Sequence, residues 1–289
     1  MEHDLTEPTI ASRLEAYAEK LGDRSCRVCN GLGIVFDPLG GGRKTGDFAL
    51  CRCLEAIVKA PEPPYEYYDE AKNCIVPCPA RPARQAIERI RVLSAQSRIP
   101  PRYLGNYLAV GLDQADKEGD ESTLMALDNA IETITSFGRG EAYGLFIHGP
   151  TGAGKTHLAC IVLNEIIRLY RKQVLFAKVH RDVLSRVKAT FNVNSDLYGE
   201  GRRIEEELAA IPALVIDDLG VKTMTEFESQ LIYDIIDSRY DYNRLTIITS
   251  NDPIDSFREI TQGRVTSRLR EMCREIHLDV ADHRLRHAL

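Results

Sequence analysis

The sequence predicts an α/β protein, a parallel sheet with helices on both faces built around a phosphate-binding loop and preceded by a small cysteine-rich module. Three observations predict it. Residues 149–156 read Gly-Pro-Thr-Gly-Ala-Gly-Lys-Thr, a complete G-x-x-x-x-G-K-[ST] loop. It stands between an apolar run at 144–147 and a segment of helical apolar spacing at 157–167, the strand–loop–helix context the motif requires. From about residue 98 onward, short apolar runs alternate with amphipathic stretches, as in parallel strands covered by helices. Finally, six of the eight cysteines fall within residues 26–78, a stretch rich in Gly and Pro.

In chain order, residues 6–22 read as a short helix and 24–80 as the cysteine module, with an irregular turn at Ala60–Tyr65. Residues 83–97 read as a basic amphipathic helix joining the two halves. Strands are expected at 144–148, 173–179, 213–217, 245–250 and 275–280. Helices are expected at 122–137, 155–171, 181–191, 202–210, 225–240, 254–260 and 263–273. This divides the chain into an N-terminal helix and cysteine module (1–82), a helical linker (83–97) and a nucleotide-binding domain (98–289).

The 289 residues, 44% hydrophobic, suffice for a sizeable core. A net charge of −6 gives no global basic field, so any nucleic-acid contact must come from a local patch. The acidic start, Met1-Glu-His-Asp-Leu-Thr-Glu7, lacks the apolar stretch of a signal peptide. No run approaches the roughly 18 apolar residues of a membrane span. The expectation is a cytoplasmic protein whose clustered cysteines bind metal rather than form disulfides. Cys160 and Cys273 lie in apolar helical contexts and read as ordinary buried residues.

The chemistry of the loop follows from its residues. Backbone N–H groups of Gly149, Pro150–Thr151, Gly152, Ala153 and Gly154 can close around phosphate oxygens, apart from the proline, which has none. The helix N-terminus beyond them adds positive potential. Lys155 reaches the β- and γ-phosphates, Thr156 holds Mg²⁺, and His157 follows directly. Residues 213–218, Ala-Leu-Val-Ile-Asp-Asp, form an apolar strand ending in two acids, the Walker B arrangement. Asp217 organises Mg²⁺ and Asp218 takes the place of the water-activating acid. The strand at 245–250 ends at Asn251, placed as a sensor of the γ-phosphate or of the attacking water. The helix after Gly263 carries four arginines, with Arg264 and Arg268 on one face. Delivered to a neighbouring subunit's γ-phosphate, Arg268 would stabilise transition-state charge.

In the cysteine module, Cys26-Arg-Val-Cys29 is a knuckle that lets two thiolates grip one tetrahedral Zn²⁺. Cys51-Arg-Cys53 supplies a second pair, and Gly40–Gly42 suggests a hairpin turn between them. The favoured ligand set is Cys26, Cys29, Cys51 and Cys53. Cys26, Cys29, Cys74 and Cys78 form the alternative, and a [4Fe–4S] cluster takes the same donors. Zinc here would fold a segment with too little apolar mass to fold alone. Residues 168–188 carry seven basic residues and one acid, with aromatics interleaved, a pattern suited to single-stranded DNA. Arg186 and Lys188 are the leading contacts.

The runs GPTGAGKTHLA at 149–159, LVIDDLG at 214–220, TIITSN at 246–251 and VTSRLREMC at 265–273 together resemble the AAA+ helicase loaders of the DnaC and DnaI type, with the transposition ATPase IstB. Ile99-Pro-Pro-Arg-Tyr103 and the segment from Asp182 to Phe191 strengthen the resemblance, which covers roughly residues 90–289. It implies an AAA+ P-loop core with a five-stranded parallel sheet in the order 5-1-4-3-2. It also implies ATP-dependent self-association, single-stranded DNA binding, and an ATPase that acts as a switch. Nine residues follow Val280, too few for the helical lid of most AAA+ proteins, and loaders of this type also lack a full lid. Arg284 matches a C-terminal Asp-x-Arg-like element seen in the family and reads either as a nucleotide contact of the sensor 2 kind or as part of a basic tail. In the resembling loaders an N-terminal zinc module grips the replicative DnaB-type helicase hexamer. The expected function is thus ATP-dependent helicase loading. The alternatives are an IstB-like helper acting on duplex DNA and a zinc-dependent adaptor with a structural nucleotide site.

Overall fold

The computed structural model describes residues 15, 17–37, 47–108, 121–193, 195–220, 224–258 and 263–279. The Gly40–Gly42 turn and Arg284 lie outside them.

Five strands form one parallel sheet: β5 (Gly144–His148), β6 (Val174–Lys178), β7 (Ala213–Asp217), β8 (Leu245–Ser250) and β9 (Cys273–His277). The spatial order is β6-β7-β8-β5-β9. Counted from the phosphate-loop strand this is 2-3-4-1-5, which read from the other edge is 5-1-4-3-2. Every residue of β7 and β8 is buried, because helices cover both faces and no strand position meets water. Successive side chains alternate between two cores. Leu145, Ile147, Val174, Phe176, Val215 and Ile247 enter one. Phe146, Leu175, Leu214, Ile216 and Ile248 enter the other.

The first core is closed by α2 (Arg81–Gln96), α3 (Glu121–Arg139) and α4 (Lys155–Tyr170). The second is closed by α5 (Ser185–Ala189), α6 (Gly201–Ala210), α7 (Glu226–Asp241) and α8 (Arg264–Met272). Helix α7 starts at a capping box. Thr225 Oγ1 accepts the Glu228 N–H, while the Glu228 carboxylate accepts the Thr225 N–H. Helix α2 starts with Pro82 in its first turn and buries Ala83, Ile87, Ile90 and Leu93 against the first core.

The cysteine module lies on that same face. Its hairpin β1 (Ile34–Asp37) and β2 (Asp47–Leu50) is antiparallel and leads into a one-turn helix, α1 (Arg52–Glu55). Phe36 and Phe48 pack edge-on to Tyr107, with centroids 4.8 and 5.8 Å away. A second hairpin, β3 (Glu66–Asp69) and β4 (Cys74–Pro77), follows. Its turn is tied by Asp69 Oδ1, which accepts the Ala71 and Lys72 N–H groups.

Several elements depart from the sequence reading. The chain is no longer helical at Tyr17, so the first helix does not run to residue 22. Residues 181–191 are not one helix. A π-helical turn, Val179–Leu184, precedes α5, and Asp182 Oδ2 accepts the Lys178 N–H across it. Residues 254–257 form a 3₁₀ turn where an α-helix was expected. The last strand begins at Cys273, directly after α8, rather than at 275.

Candidate functional site

The loop between β5 and α4 sits at the C-terminal edge of the sheet, where β7 and β8 also end. Gly149 has φ +146, and a Cβ there would lie 2.2 Å from Leu278 O, so only glycine passes β9 at this point. Lys155 Nζ donates to Gly149 O (2.8 Å), Pro150 O (2.8 Å) and Asn251 Oδ1 (2.9 Å). The loop lysine and the Asn251 sensor position, 96 residues apart, thus meet. Thr156 Oγ1 donates to Asp217 Oδ1 at 2.8 Å. A hydroxyl and a carboxylate are hard oxygen donors that suit a divalent cation such as Mg²⁺, so Thr156 and Asp217 fit the group the loop implies. Asp217 is buried, while Asp218 is exposed with φ +63, a left-handed backbone costing about 1–2 kcal/mol for a residue with a Cβ.

Beside the loop, His148 stacks on His277 with centroids 4.7 Å apart and lies 3.4 Å from Glu275 Oε1. Burial, with smaller contributions from His277 and Lys155, lowers the His148 pKa and favours the neutral ring. His157 stacks on Tyr103 at 5.8 Å, and the Arg102 guanidinium lies 4.5 Å over that ring. The segment 103–106 is pinned to α4 by Asn164 Nδ2, which donates to Tyr103 O and Asn106 O.

Arg264 and Arg268 share a face, as their spacing requires, and both rest on α7. Arg264 lies 4.9 Å over the Tyr233 ring. Arg268 pairs through Nε with Asp237 and lies 5.1 Å over Tyr240. Among the described residues Arg268 makes no contact with the loop, Asp217 or Asn251.

Sulphurs of Cys26, Cys29, Cys51 and Cys53 all lie within 4.8 Å of one another. The Cys26–Cys51 and Cys29–Cys53 separations are each 3.7 Å. A tetrahedron with Zn–S bonds of about 2.3 Å has edges of about 3.8 Å, so the four thiols fit zinc. Gly33 N–H donates to Cys29 Sγ at 3.3 Å, and Cys51 N–H donates to Gly33 O at 2.9 Å, locking the two knuckles together. A Cβ on Gly22 would lie 2.6 Å from Gly33 Cα and 3.2 Å from Cys53 Sγ, a close approach that the sequence reading missed. Burial pushes the Cys29 thiol up to about 12, whereas backbone N–H groups of Cys29 and Val28 bring Cys26 down to about 7. Thiols of this kind release their protons to solvent when they bind a cation. Cys74 is exposed on β4, and Cys78 is buried with its sulphur accepting the Lys59 N–H. Neither joins the cluster, so the alternative ligand set is not assembled.

The basic stretch is largely neutralised by acids distant in sequence. Arg171 pairs with Glu19 (2.7 Å), Arg186 with Glu207 (3.5 Å) and Lys188 with Glu228 (2.8 Å). Arg168 is partly buried against Glu165 (2.7 Å), and Arg181 pairs with Asp182. Phe176 is core, and Phe191 is 67% exposed. Phe191 meets the half-exposed Phe227 edge-on at 5.7 Å. Thr249, Asp237 and Phe227 contact candidate residues and were not singled out from the sequence. For Thr249 a signal existed: with Thr246 and Ser250 it is one of three hydroxyl residues in a wholly buried strand. No helix among the described residues is long and apolar enough to cross a membrane.

Comparison with known proteins places this geometry. The "Replicative helicase loader DnaC" of Escherichia coli (strain K12) is 32% identical over 150 residues, covering 52% of this chain and 59% of that protein. The protein of the same name from Buchnera aphidicola subsp. Baizongia pistaciae is 31% identical over 155 residues, covering 54% and 60%. The chain therefore spans less than two thirds of the length of these curated relatives. Among solved structures, a primosome component from Streptococcus pyogenes serotype M3 superposes with a TM-score of 0.51 at 21% identity, covering 66% of this chain and 97% of that one. DnaI superposes with a TM-score of 0.50 at 21% identity, covering 64% and 94%. Both share the fold. The model of the IstB-like ATP binding protein family matches residues 131–287, more than half of the sequence and all five strands of the sheet, and the chain belongs to that family.

Proposed function

We propose that this chain is an ATP-dependent loader of a replicative helicase, with a zinc module that holds the helicase and a nucleotide-switched core that holds single-stranded DNA. The observation that supports it most is the presence, in one chain, of a four-sulphur cluster and an assembled Lys155–Asn251 and Thr156–Asp217 constellation. The curated relatives named as helicase loaders lend the partner class.

In this reading residues 1–82 form the helicase-contacting part, 83–97 the link and 98–289 the ATPase. Bound Mg-ATP supplies the phosphoanhydride that is cleaved. Gly149, Gly152, Ala153 and Gly154 turn backbone N–H groups to the phosphates, and Lys155 leaves its carbonyl partners for them. Thr156 and Asp217 are the side chains that hold the cation, and Asp218, exposed beside them, takes a proton from water. Asn251 orients that water, and His157 with Tyr103 borders the loop. Arg268, held by Asp237 at the edge of α7, is offered to a neighbouring copy. Single-stranded DNA crosses the end of α5, where Phe191 and Phe227 stack bases, and Arg186 and Lys188 exchange Glu207 and Glu228 for phosphates. Hydrolysis then releases the loader.

The test is retention of the host's replicative helicase on the immobilised protein with ATP, using wild type and a Cys26→Ser/Cys29→Ser variant. Retention by wild type and loss in the variant is the expected result. A wild type that hydrolyses ATP on DNA yet retains no helicase overturns the proposal in favour of a transposition helper.

A further inference from the structure

Strand β8 ends in two hydroxyl residues, Thr249 and Ser250, before Asn251. Register places Thr249 one step beyond the Ile216–Ile248 pair, opposite Asp217. Its hydroxyl has one proton, which goes to Asp217 Oδ1 at 2.8 Å, and its lone pair accepts the Asp218 N–H at 2.9 Å. The Thr249 carbonyl accepts the Leu219 N–H at 2.9 Å, and Ser250 Oγ donates to Leu219 O at 2.7 Å. The end of β8 thus grips the 217–219 turn at every residue, over-determining the left-handed Asp218. Thr156 donates to the same Oδ1. Two hydroxyls converge on one oxygen, while Oδ2 accepts no hydrogen bond among the described residues. Thr249 is fully buried and β-branched, so its Oγ1 has little rotamer freedom.

We infer that Thr249 is a positioning residue of the nucleotide site: its hydroxyl turns Asp217 so that Oδ2 faces a divalent cation, and fixes the turn that presents Asp218. The inference rests on the nucleotide reading above and deepens it by naming what aims the acidic pair. A Thr249 that only filled space in the core would be served as well by valine, which has the same shape without the hydroxyl.

The experiment measures the affinity of a fluorescent methylanthraniloyl-ATP in EDTA and across a Mg²⁺ titration, with the melting temperature of each nucleotide-free protein alongside. In T249V, binding in EDTA should match wild type, while the gain in affinity from Mg²⁺ falls by about 10- to 100-fold, the usual cost of losing an outer-shell partner of a metal ligand. T249S, which keeps the hydroxyl, should restore the Mg²⁺ response. T249A, also without the hydroxyl, should repeat the T249V result and stands in for it if valine destabilises the fold. An undiminished Mg²⁺ response in the folded hydroxyl-free variant overturns the inference, as does equal impairment of T249S. Wild type that binds no nucleotide at all would overturn the underlying nucleotide reading as well.

Discussion

The cysteine module and the sheet domain share one hydrophobic core yet are organised by opposite means. In β7 and β8 every residue is buried, and the apolar runs alone specify strand, sheet and layer. In the module the strands are four residues long, β3 and β4 bury none of their side chains fully, and the polar centre is four sulphurs. The sheet is held by burial distributed over dozens of side chains. The module is held at one point by a cluster that needs a cation, and at its flank by Phe36, Phe48 and Tyr107. The comparison predicts that loss of the cluster would disorder the module before the sheet, and that the core they share carries the coupling between them.

The largest break expected is removal of the metal. Cys29→Ser, or chelation of wild type, should abolish amide protection in 34–37 and 47–50 while leaving β5–β9 protected in hydrogen exchange. Structural zinc supplies on the order of 10 kcal/mol to small modules. Unchanged protection of the hairpin would show instead that packing on Tyr107 suffices.

Lys155→Ala should do the converse. It removes the cation that bridges Gly149, Pro150 and Asn251, and with it about 2–5 kcal/mol of nucleotide affinity, while zinc content and hairpin protection stay unchanged. Calorimetric titration with ATP and metal analysis of the same sample check both halves. A variant that binds ATP as wild type does would remove Lys155 from the site.

The seam between the two regions is polar at its centre. Arg168 is partly buried, 2.7 Å from the buried Glu165 and 3.5 Å from Glu15. Burial opposes its charge, and Glu165 more than offsets that, raising its pKa. Arg168→Leu strands the buried Glu165 and should cost about 3–5 kcal/mol. A denaturation midpoint that falls for both regions together would make the seam a mechanical coupling. A fall confined to the module would make it only a dock. Glu165→Gln/Arg168→Leu should recover part of the loss.

This division also decided what could be read from the sequence. Most strands were legible because β5, β6 and β7 are apolar up to their last residue and β8 adds only hydroxyls, whereas β9, Cys-Arg-Glu-Ile-His, is mostly polar and its start was misplaced. The loop, Asp217 and Asn251 were legible as motifs, and the structure brings Lys155 to Asn251 and Thr156 to Asp217. The first hairpin was legible only through the turn expected at Gly40–Gly42, and the second was not legible. Four-residue strands with half-exposed faces leave no period, and Tyr68 and Ile75, cross-strand partners, are both exposed. The cysteine spacings allowed two ligand sets, and only the fold separates them, by leaving Cys74 at the surface. The pairing of the basic stretch was not legible because charge was counted locally, whereas its partners Glu19, Glu207 and Glu228 arrive from other elements. Arg239 gave no sign at all. It is buried in α7 and donates to the carbonyls of Leu208, Ile211 and Leu245, with burial bringing its pKa down to about 9.

The smallest expected effect on the isolated chain falls on the Arg268–Asp237 pair. Both side chains are about a third exposed, a setting where an ion pair contributes about 0.2–1 kcal/mol, and Tyr240 keeps its hold on the guanidinium. Asp237→Asn should therefore shift the melting temperature little and leave ATP affinity of the protomer unchanged. If Arg268 serves a neighbouring copy, the change appears only between copies: hydrolysis per protomer should depend on protein concentration differently from wild type. Mixing then tells whose site suffers. Asp237→Asn subunits combined with subunits carrying Asp218→Asn should show the defect in the intact Asp218 sites that face an Asp237→Asn neighbour. Hydrolysis that tracks wild type at every concentration, with Arg268→Ala equally silent, would confine both residues to packing α8 on α7 and remove the arginine from the chemistry.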